Sequence, residues 1–324
     1  MTDTYFLTGA LGCIGAWVTK TVLDRGDVPV VFDLGDDRRR LRDILDEDAL
    51  ARVRFVQGDI TDQGAVVRAV EASGAKRIIH LAGLQVPFCK ADPPLGARVN
   101  VVGTIHVFEA AKSTGAERVV YASSAAVYGP PEDDVAPDEA AACEPTTHYG
   151  VFKRANEGNA RVYYQDDGVQ SVGLRPLTVY GVGRDQGLTS GPTRAMKAAA
   201  IGRRFRIPFS GATDFNYVAD TAAAFVECAH RAPDGAHVFN LHGDSVEVKR
   251  IVEEIERAAG DSARGLVTFG GFPLPIPPAI DGAAIHAAVP NLPRTALEDG
   301  VRWTVERFRW LHEEGRLDTR DLED

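Results

Sequence analysis

The chain has 324 residues, 44% of them hydrophobic, and a formal net charge of −10. That length serves one large domain or a main domain carrying a smaller one. The acidic balance leaves no basic stripe to neutralise phosphates, which argues against nucleic acid as a partner, and no apolar run approaches the ~20 residues that span a bilayer. Cys13, Cys89, Cys143 and Cys228 are scattered, with no Cys-x-x-Cys pair and no histidine at metal-ligand spacing. They read as reduced thiols of a soluble, cytoplasmic protein without a metal. The N-terminus carries no basic region followed by an apolar stretch, so no signal peptide is expected.

Short apolar runs at 5–10, 28–34, 53–59, 77–83, 118–124 and 171–181 are nearly continuous in Val, Ile, Leu, Phe and Tyr, as strands buried on both faces are. Stretches at 12–26, 62–73, 93–114 and 148–166 have the length of crossover helices. The alternation predicts an α/β fold, a doubly wound, Rossmann-like parallel sheet with helices on both faces. The mixed run "DDRRRLRD" (36–43) reads as a solvated helix start. After residue 181 the pattern loosens, and "GRDQGLTSGPT" (183–193) reads as a long polar loop at the expected cleft. A helix near 218–231, a strand at 237–243, a helix at 246–259, a Pro-rich loop at 272–282 and a closing helix at 295–314 follow. Trp303 and Trp310, seven apart in that helix, read as core packing. The expected organisation is a Rossmann-like domain over 1–181, to which 214–243 returns. A smaller C-terminal substrate-binding lobe is expected from 182–213 and 244–324, leaving a cleft between the two.

"LTGALGCIGA" (7–16) joins the first strand to the first helix, with Gly9, Gly12 and Gly15 in the spacing G-x-x-G-x-x-G. A tight turn there lets the backbone approach a pyrophosphate, and the helix N-terminus at Cys13 and Ile14 offers free N–H groups to the anion. Asp33 ends the second strand, where a carboxylate accepts hydrogen bonds from both hydroxyls of an adenine ribose and repels a 2′-phosphate. This favours NAD over NADP. Arg38, Arg39 and Arg40 pull the other way, because arginine holds 2′-phosphates. "YGVFK" (149–153) sets Tyr149 and Lys153 four apart on one helical face. Alone, that spacing does not separate a catalytic couple from a surface pair.

Eight motifs occur in order: "TGALGCIG" (8–15), "GDITD" (58–62), "HLAG" (80–83), "NVVGT" (100–104), "SSAAVYG" (123–129), "YGVFK", "LRPLTVYG" (174–181) and "DFNYVAD" (214–220). Together they resemble the extended short-chain dehydrogenase/reductase family, the group that contains the nucleotide-sugar epimerases and dehydratases. The resemblance implies that Tyr149 is the acid/base, that Lys153 is its partner and binds the nicotinamide ribose, and that Ser124 hydrogen-bonds the reacting oxygen. It further implies that Asp59 and Ile60 flank the adenine, that Leu81, Ala82 and Gly83 line the cofactor, and that Asn100 and Pro176 lie beside it. Gln85, Ser123, Ser124, Thr178, Arg184, Ser190 and Asn216 are the implied substrate contacts, and a homodimer through helices 93–114 and 148–166 is the implied assembly. An unperturbed tyrosine has a pKa of about 10. A lysine one turn away and a positive nicotinamide ring both favour its phenolate.

The departures narrow the reading. Family 4,6-dehydratases carry an acid just after the catalytic Ser or Thr; here Ala125 and Ala126 stand there, and alanine transfers no proton. Thr178 stands where UDP-sugar epimerases have an asparagine on the diphosphate, and Thr213 where they have an arginine. The C-terminal phosphate-gripping arginine has no clear counterpart in "FPLPIPPAIDGAAIH". The loss fits a smaller polar substrate: a sugar, a sugar acid or another hydroxy or keto compound. The expected function is NAD-dependent oxidation of a secondary alcohol, as an epimerase or as a net dehydrogenase. UDP-sugar 4-epimerisation is the alternative within this chemistry. A non-catalytic NAD-binding regulator is the alternative outside it, and the retained Tyr149 and Lys153 weigh against it.

Overall fold

In the computed structural model, which describes residues 2–131 and 135–323, strand and helix alternate through the first half of the chain. The order is β1 (Thr4–Thr8), α1 (Cys13–Asp24), β2 (Val28–Asp33), α2 (Arg39–Arg42), α3 (Glu47–Ala51), β3 (Arg54–Gln57), α4 (Gln63–Ser73), β4 (Arg77–His80), α5 (Val86–Ala91), α6 (Pro93–Ala97), α7 (Gly103–Thr114), β5 (Arg118–Ala122), α8 (His148–Asp167) and β6 (Ser171–Pro176). Then come β7 (Thr178–Tyr180), α9 (Gly191–Ala200), β8 (Phe205–Ile207), β9 (Ala212–Tyr217), α10 (Val218–Arg231), β10 (Ala236–Leu241), β11 (Asp244–Glu247), α11 (Val248–Ala259), β12 (Val267–Phe269), α12 (Ala283–Ala288) and α13 (Leu297–Glu313).

Among the described residues the main sheet has the order β10-β6-β5-β4-β1-β2-β3, with every neighbouring pair parallel. Residues of α1 and α10 pack into the core on one face, and residues of α4, α7 and α8 on the other. The expected doubly wound parallel sheet is therefore present. Strand order reverses between β1 and β4, and in such sheets the crevice for a ligand opens at the carboxyl ends of those strands. A separate apolar cluster joins β7 and β9 to α9, α11 and α13. No described helix is long and apolar enough to cross a membrane.

Four local readings differ from the structure. The run 171–181 is two strands: β6 belongs to the main sheet, whereas β7 pairs with β9 in a second sheet. Pro176 supplies no N–H to prolong the first ladder, and the Leu177 N–H is instead accepted by Asn216 Oδ1 at 2.8 Å. The stretch 93–114 is also broken, because residues Arg98–Val102 form a wider π-helical turn between α6 and α7. The polar segment after 181 contains α9, whose Ala195, Met196, Ala198 and Ala199 are buried. Trp303 and Trp310 are 44% and 37% exposed rather than core. Trp310 lies between Arg307 and Arg316, and Trp303 packs at a tilt against Tyr217 with Arg302 over its ring, so long polar side chains cover part of both rings.

Candidate active site

The glycine turn is built without room for side chains. Gly9 adopts φ +67°, and a Cβ there would lie 2.4 Å from the Ala82 backbone nitrogen at the end of β4. A Cβ on Gly15 would lie 2.4 Å from the Gly9 carbonyl oxygen, so the helix seats directly on the turn. Gly12 is the N-cap of α1, with no capping side chain and no acid in the first turn. The first N–H groups of α1 are thus left to an anion. Asp33 Oδ2 accepts the Leu11 N–H at 3.0 Å, which ties the carboxylate to this turn.

A cleft of about 370 Å³ runs over the turn. It is lined at one end by Asp33, Asp59 and Ile60, in the middle by Gly9, Gly12, Cys13, Ile14 and Gly15, and at the other end by Leu81, Ala82, Gly83, Ala122, Tyr149 and Lys153. The bare backbone cradle, the uncapped helix start and the acidic end fit a dinucleotide with an unphosphorylated ribose. The three arginines do not contest this. Arg39 and Arg40 are spent on Asp185 at 2.8 and 2.7 Å, and Arg38 lies over the Phe55 ring at 3.7 Å.

A second cavity, of about 140 Å³, meets the cleft at Ile14, Gln85, Tyr149 and Arg184, which line both. Ser124, Ala126, Pro176, Leu188 and Thr189 stand only on its wall. Tyr149 therefore stands where the two spaces join, with Ser124 on the second cavity's wall near enough for its hydroxyl to favour the phenolate. Burial raises the Tyr149 pKa, while the Ser124 hydroxyl and the positive charge of Arg184 oppose the rise. Arg184, on the wall of both spaces, thus adds a cation near the phenol that the motif spacing does not announce. Lys153 Nζ sits 5.5 Å from the Tyr149 ring centre and donates to the Ala122 carbonyl at 2.7 Å. Its burial pulls the ammonium pKa down to about 8.

Several expected contacts lie elsewhere. Ser123 is buried and donates to Glu157 at 2.6 Å, inside a network that Glu157 forms with Arg175. Thr178 is buried with its hydroxyl 2.8 Å from that of Thr213, so each satisfies the other. The Asn216 amide is used up on Leu177, Asp214 and Leu241. Ser190 donates to the Gly187 carbonyl. Pro176 faces the second cavity rather than the cofactor cleft. Asn100 lies beneath the cleft wall, where it grips both the N–H and the carbonyl of Leu84. Sequence reasoning missed Asn156, which is buried in α8 and donates to the Asn100 carbonyl and to Thr104. Its signal was present: it lies on the helix of Tyr149, three residues after Lys153.

The family model described as NAD dependent epimerase/dehydratase matches residues 5–241. The chain belongs to this family. It is accordingly an enzyme with NAD as its cofactor. Human UDP-glucose 4-epimerase is 29% identical over 297 residues, which cover 80% of this chain and 83% of that protein. UDP-glucose 4-epimerase of Mycolicibacterium smegmatis is also 29% identical, over 317 residues covering 94% and 97%. The UDP-glucose 4-epimerase of Thermus thermophilus, solved in complex with NAD, has the same fold. Its TM-score is 0.79 at 24% identity, covering 94% of this chain and 99% of that one.

Proposed function

We propose that this family member oxidises a secondary alcohol of a sugar-like, polar substrate, with Tyr149 as acid/base, Ser124 holding the reacting oxygen and Lys153 positioning the cofactor. The observation that carries the reading is the placement of Tyr149 and Ser124 at the junction of the cofactor cleft and the second cavity. The chemistry that NAD supplies when bound is acceptance of a hydride from the carbinol carbon. Tyr149 takes the hydroxyl proton, a transfer that needs the phenolate. Ser124 and Arg184 favour that form against the burial of the ring. Lys153 directs its ammonium to the cleft, where it would hold the ribose hydroxyls. Gly9, Gly12 and Gly15 would take the pyrophosphate, and Asp33 the adenine ribose. Dehydration is not supported, because Ala126 on the cavity wall has no proton to give and no carboxylate stands on that wall among the described residues.

UDP-sugar 4-epimerisation is the second reading, favoured by the activity named for the relatives. The mutual pairing of Thr178 and Thr213 weighs against a diphosphate at those positions. We further propose a homodimer through α7 and α8, because Val151, Ala155, Gly158 and Val162 form an apolar stripe along the outer face of α8 whose valines are nearly half exposed. The proposed domain division is the one expected from the sequence. A cytoplasmic setting is supported by four free cysteines.

Denaturing freshly purified protein and measuring NAD(H) per chain separates the two outcomes of this chemistry. About one molecule per chain favours an epimerase that retains its cofactor, and almost none favours a dehydrogenase. In either case Tyr149→Phe is expected to keep NAD binding and to lose turnover by several orders of magnitude, roughly the 10²–10⁴-fold of general acid–base catalysis or more. Turnover surviving in that variant sinks the proposal.

A further inference from the structure

We infer that the substrate is a small hydroxy or keto carboxylate, its carboxylate held by Arg184 and a hydroxyl by Gln85. The inference rests on the reading above and names the substrate class of that same site.

Among the described residues, the wall of the second cavity carries one charged side chain, Arg184, and no carboxylate. Arg184 is also unspent. Its Nη2 donates to Thr189 at 3.0 Å, its Nε is buried without a partner, and among the described residues no carboxylate pairs with it. The neighbouring Arg39 and Arg40 behave differently, since both pair with Asp185 and Arg39 also pairs with Asp318. A guanidinium partly withdrawn from water and left unpaired is costly, and a planar carboxylate is the group that matches its donors.

Gln85 supplies the complementary atom. Its Oε1 is buried without a partner on the same wall. Both side chains converge on Gly187, which adopts φ +97°. A Cβ there would lie 2.0 Å from Gln85 Oε1 and 3.3 Å from Arg184 Nη2. The missing side chain lets an unsatisfied acceptor and an unsatisfied cation stand close together beside Tyr149. A carboxylate with a neighbouring hydroxyl satisfies both at once.

The surroundings of the cavity point the same way. Pro275 and Ile276, from the Pro-rich loop, stand on its wall. Thr178 and Thr213, which are buried against each other, offer nothing to a diphosphate.

The test is calorimetric titration of enzyme saturated with NADH, which allows binding without turnover. The probes are glycolate, D-glycerate, L-threonate and D-gluconate, with glycerol, threitol and sorbitol as neutral counterparts and UDP-glucose as the nucleotide comparator. At least one acid is expected to bind at least tenfold more tightly than its neutral counterpart. Arg184→Gln is expected to weaken that binding roughly tenfold to a hundredfold, the range for hydrogen bonds to a charged group, and Arg184→Lys to recover part of it. NADH fluorescence, read separately, confirms that each variant is saturated and folded. Equal binding of acids and polyols, unchanged affinity in Arg184→Gln, or failure of every acid to bind overturns the inference. Tight binding of UDP-glucose alone also overturns it, yet leaves the Tyr149 chemistry standing. That chemistry fails by a different sign, turnover in Tyr149→Phe.

Discussion

Lys153 sets function against stability at a single position. Its side chain is buried beside a cleft, and one carbonyl, that of Ala122, accepts from it. Burial lowers its pKa from 10.5 to about 8. Below pH 8 the lysine is charged in both the folded and the unfolded chain, and the folded state bears the full cost of the buried ammonium. Between about 8 and 10.5 the unfolded chain binds more protons than the folded one, so stability rises with pH across that window. Lys153→Met is therefore expected to be inactive yet more stable than the natural chain at pH 7, by on the order of 3 kcal/mol. The gap should close as pH rises from 8 to 10.5. Thermal melts of both proteins over pH 7–10 measure it. A variant that melts lower at pH 7, or a gap that ignores pH, contradicts this account. The residue types at the site were legible in the sequence, but the direction of each side chain was not. Asn100, Ser123, Thr178 and Asn216 sit in the expected motifs, close to the cleft, and all four turn inward to satisfy buried polar groups. Nothing in a motif distinguishes a polar atom offered to a ligand from one spent on a neighbouring strand.

Loop 182–190 shows the same limit at the level of an element. Its composition marks a polar loop at the cleft, but what holds it arises from contacts remote in sequence. Trp17 of α1 donates to the Val182 carbonyl at 2.9 Å. Arg40 of α2 donates to the Leu11 and Gly183 carbonyls and to Asp185, which ties the glycine turn to this loop. Arg39 adds a second bond to Asp185. Asp185 is buried, and its arginines hold its carboxyl below the usual carboxylate range, so the clamp is intact at neutral pH and weakens as pH falls through that depressed value. Asp185→Asn is expected to cost roughly 2–4 kcal/mol, a little below the ~3–5 kcal/mol for breaking a fully buried pair because both arginines keep some exposure. It also leaves Arg40, which is bonded to the Leu11 carbonyl beside Asp33, without its carboxylate partner, so affinity for NADP should rise relative to NAD. Chemical denaturation and nucleotide fluorescence titration test the two effects separately. A stable variant with unchanged nucleotide preference would mean that the clamp neither braces the loop nor sequesters those charges.

At the scale of the whole molecule, α8 faces two ways. Its inner face carries Tyr149, Lys153, Asn156 and Glu157, with the last three buried. Its outer face carries Val151, Ala155, Gly158 and Val162, spaced four, three and four apart and so aligned along one side of the helix. Val151 and Val162 are 47% and 48% exposed, and Phe88 and Val102 on the neighbouring segments are 47% and 40% exposed. A Cβ on Gly158 would touch nothing within 4 Å. Small residues at such a position permit close approach of a second helix, and apolar exposure of this extent is a common mark of an interface. The strand-and-helix alternation was readable because each element buries its own face. This outer face could be anticipated only through the resemblance, since the helix must first be oriented by the sheet. Val151→Glu combined with Val162→Glu is expected to convert a dimer into a 34.9 kDa monomer by light scattering. The monomer should still bind NAD, because the Arg175–Glu157 network anchors α8 from its inner side. A natural chain that is already monomeric, or a double variant that stays dimeric, places the interface elsewhere. A monomer that binds NAD but turns over slowly would mean that the partner subunit braces the helix on which Tyr149 stands.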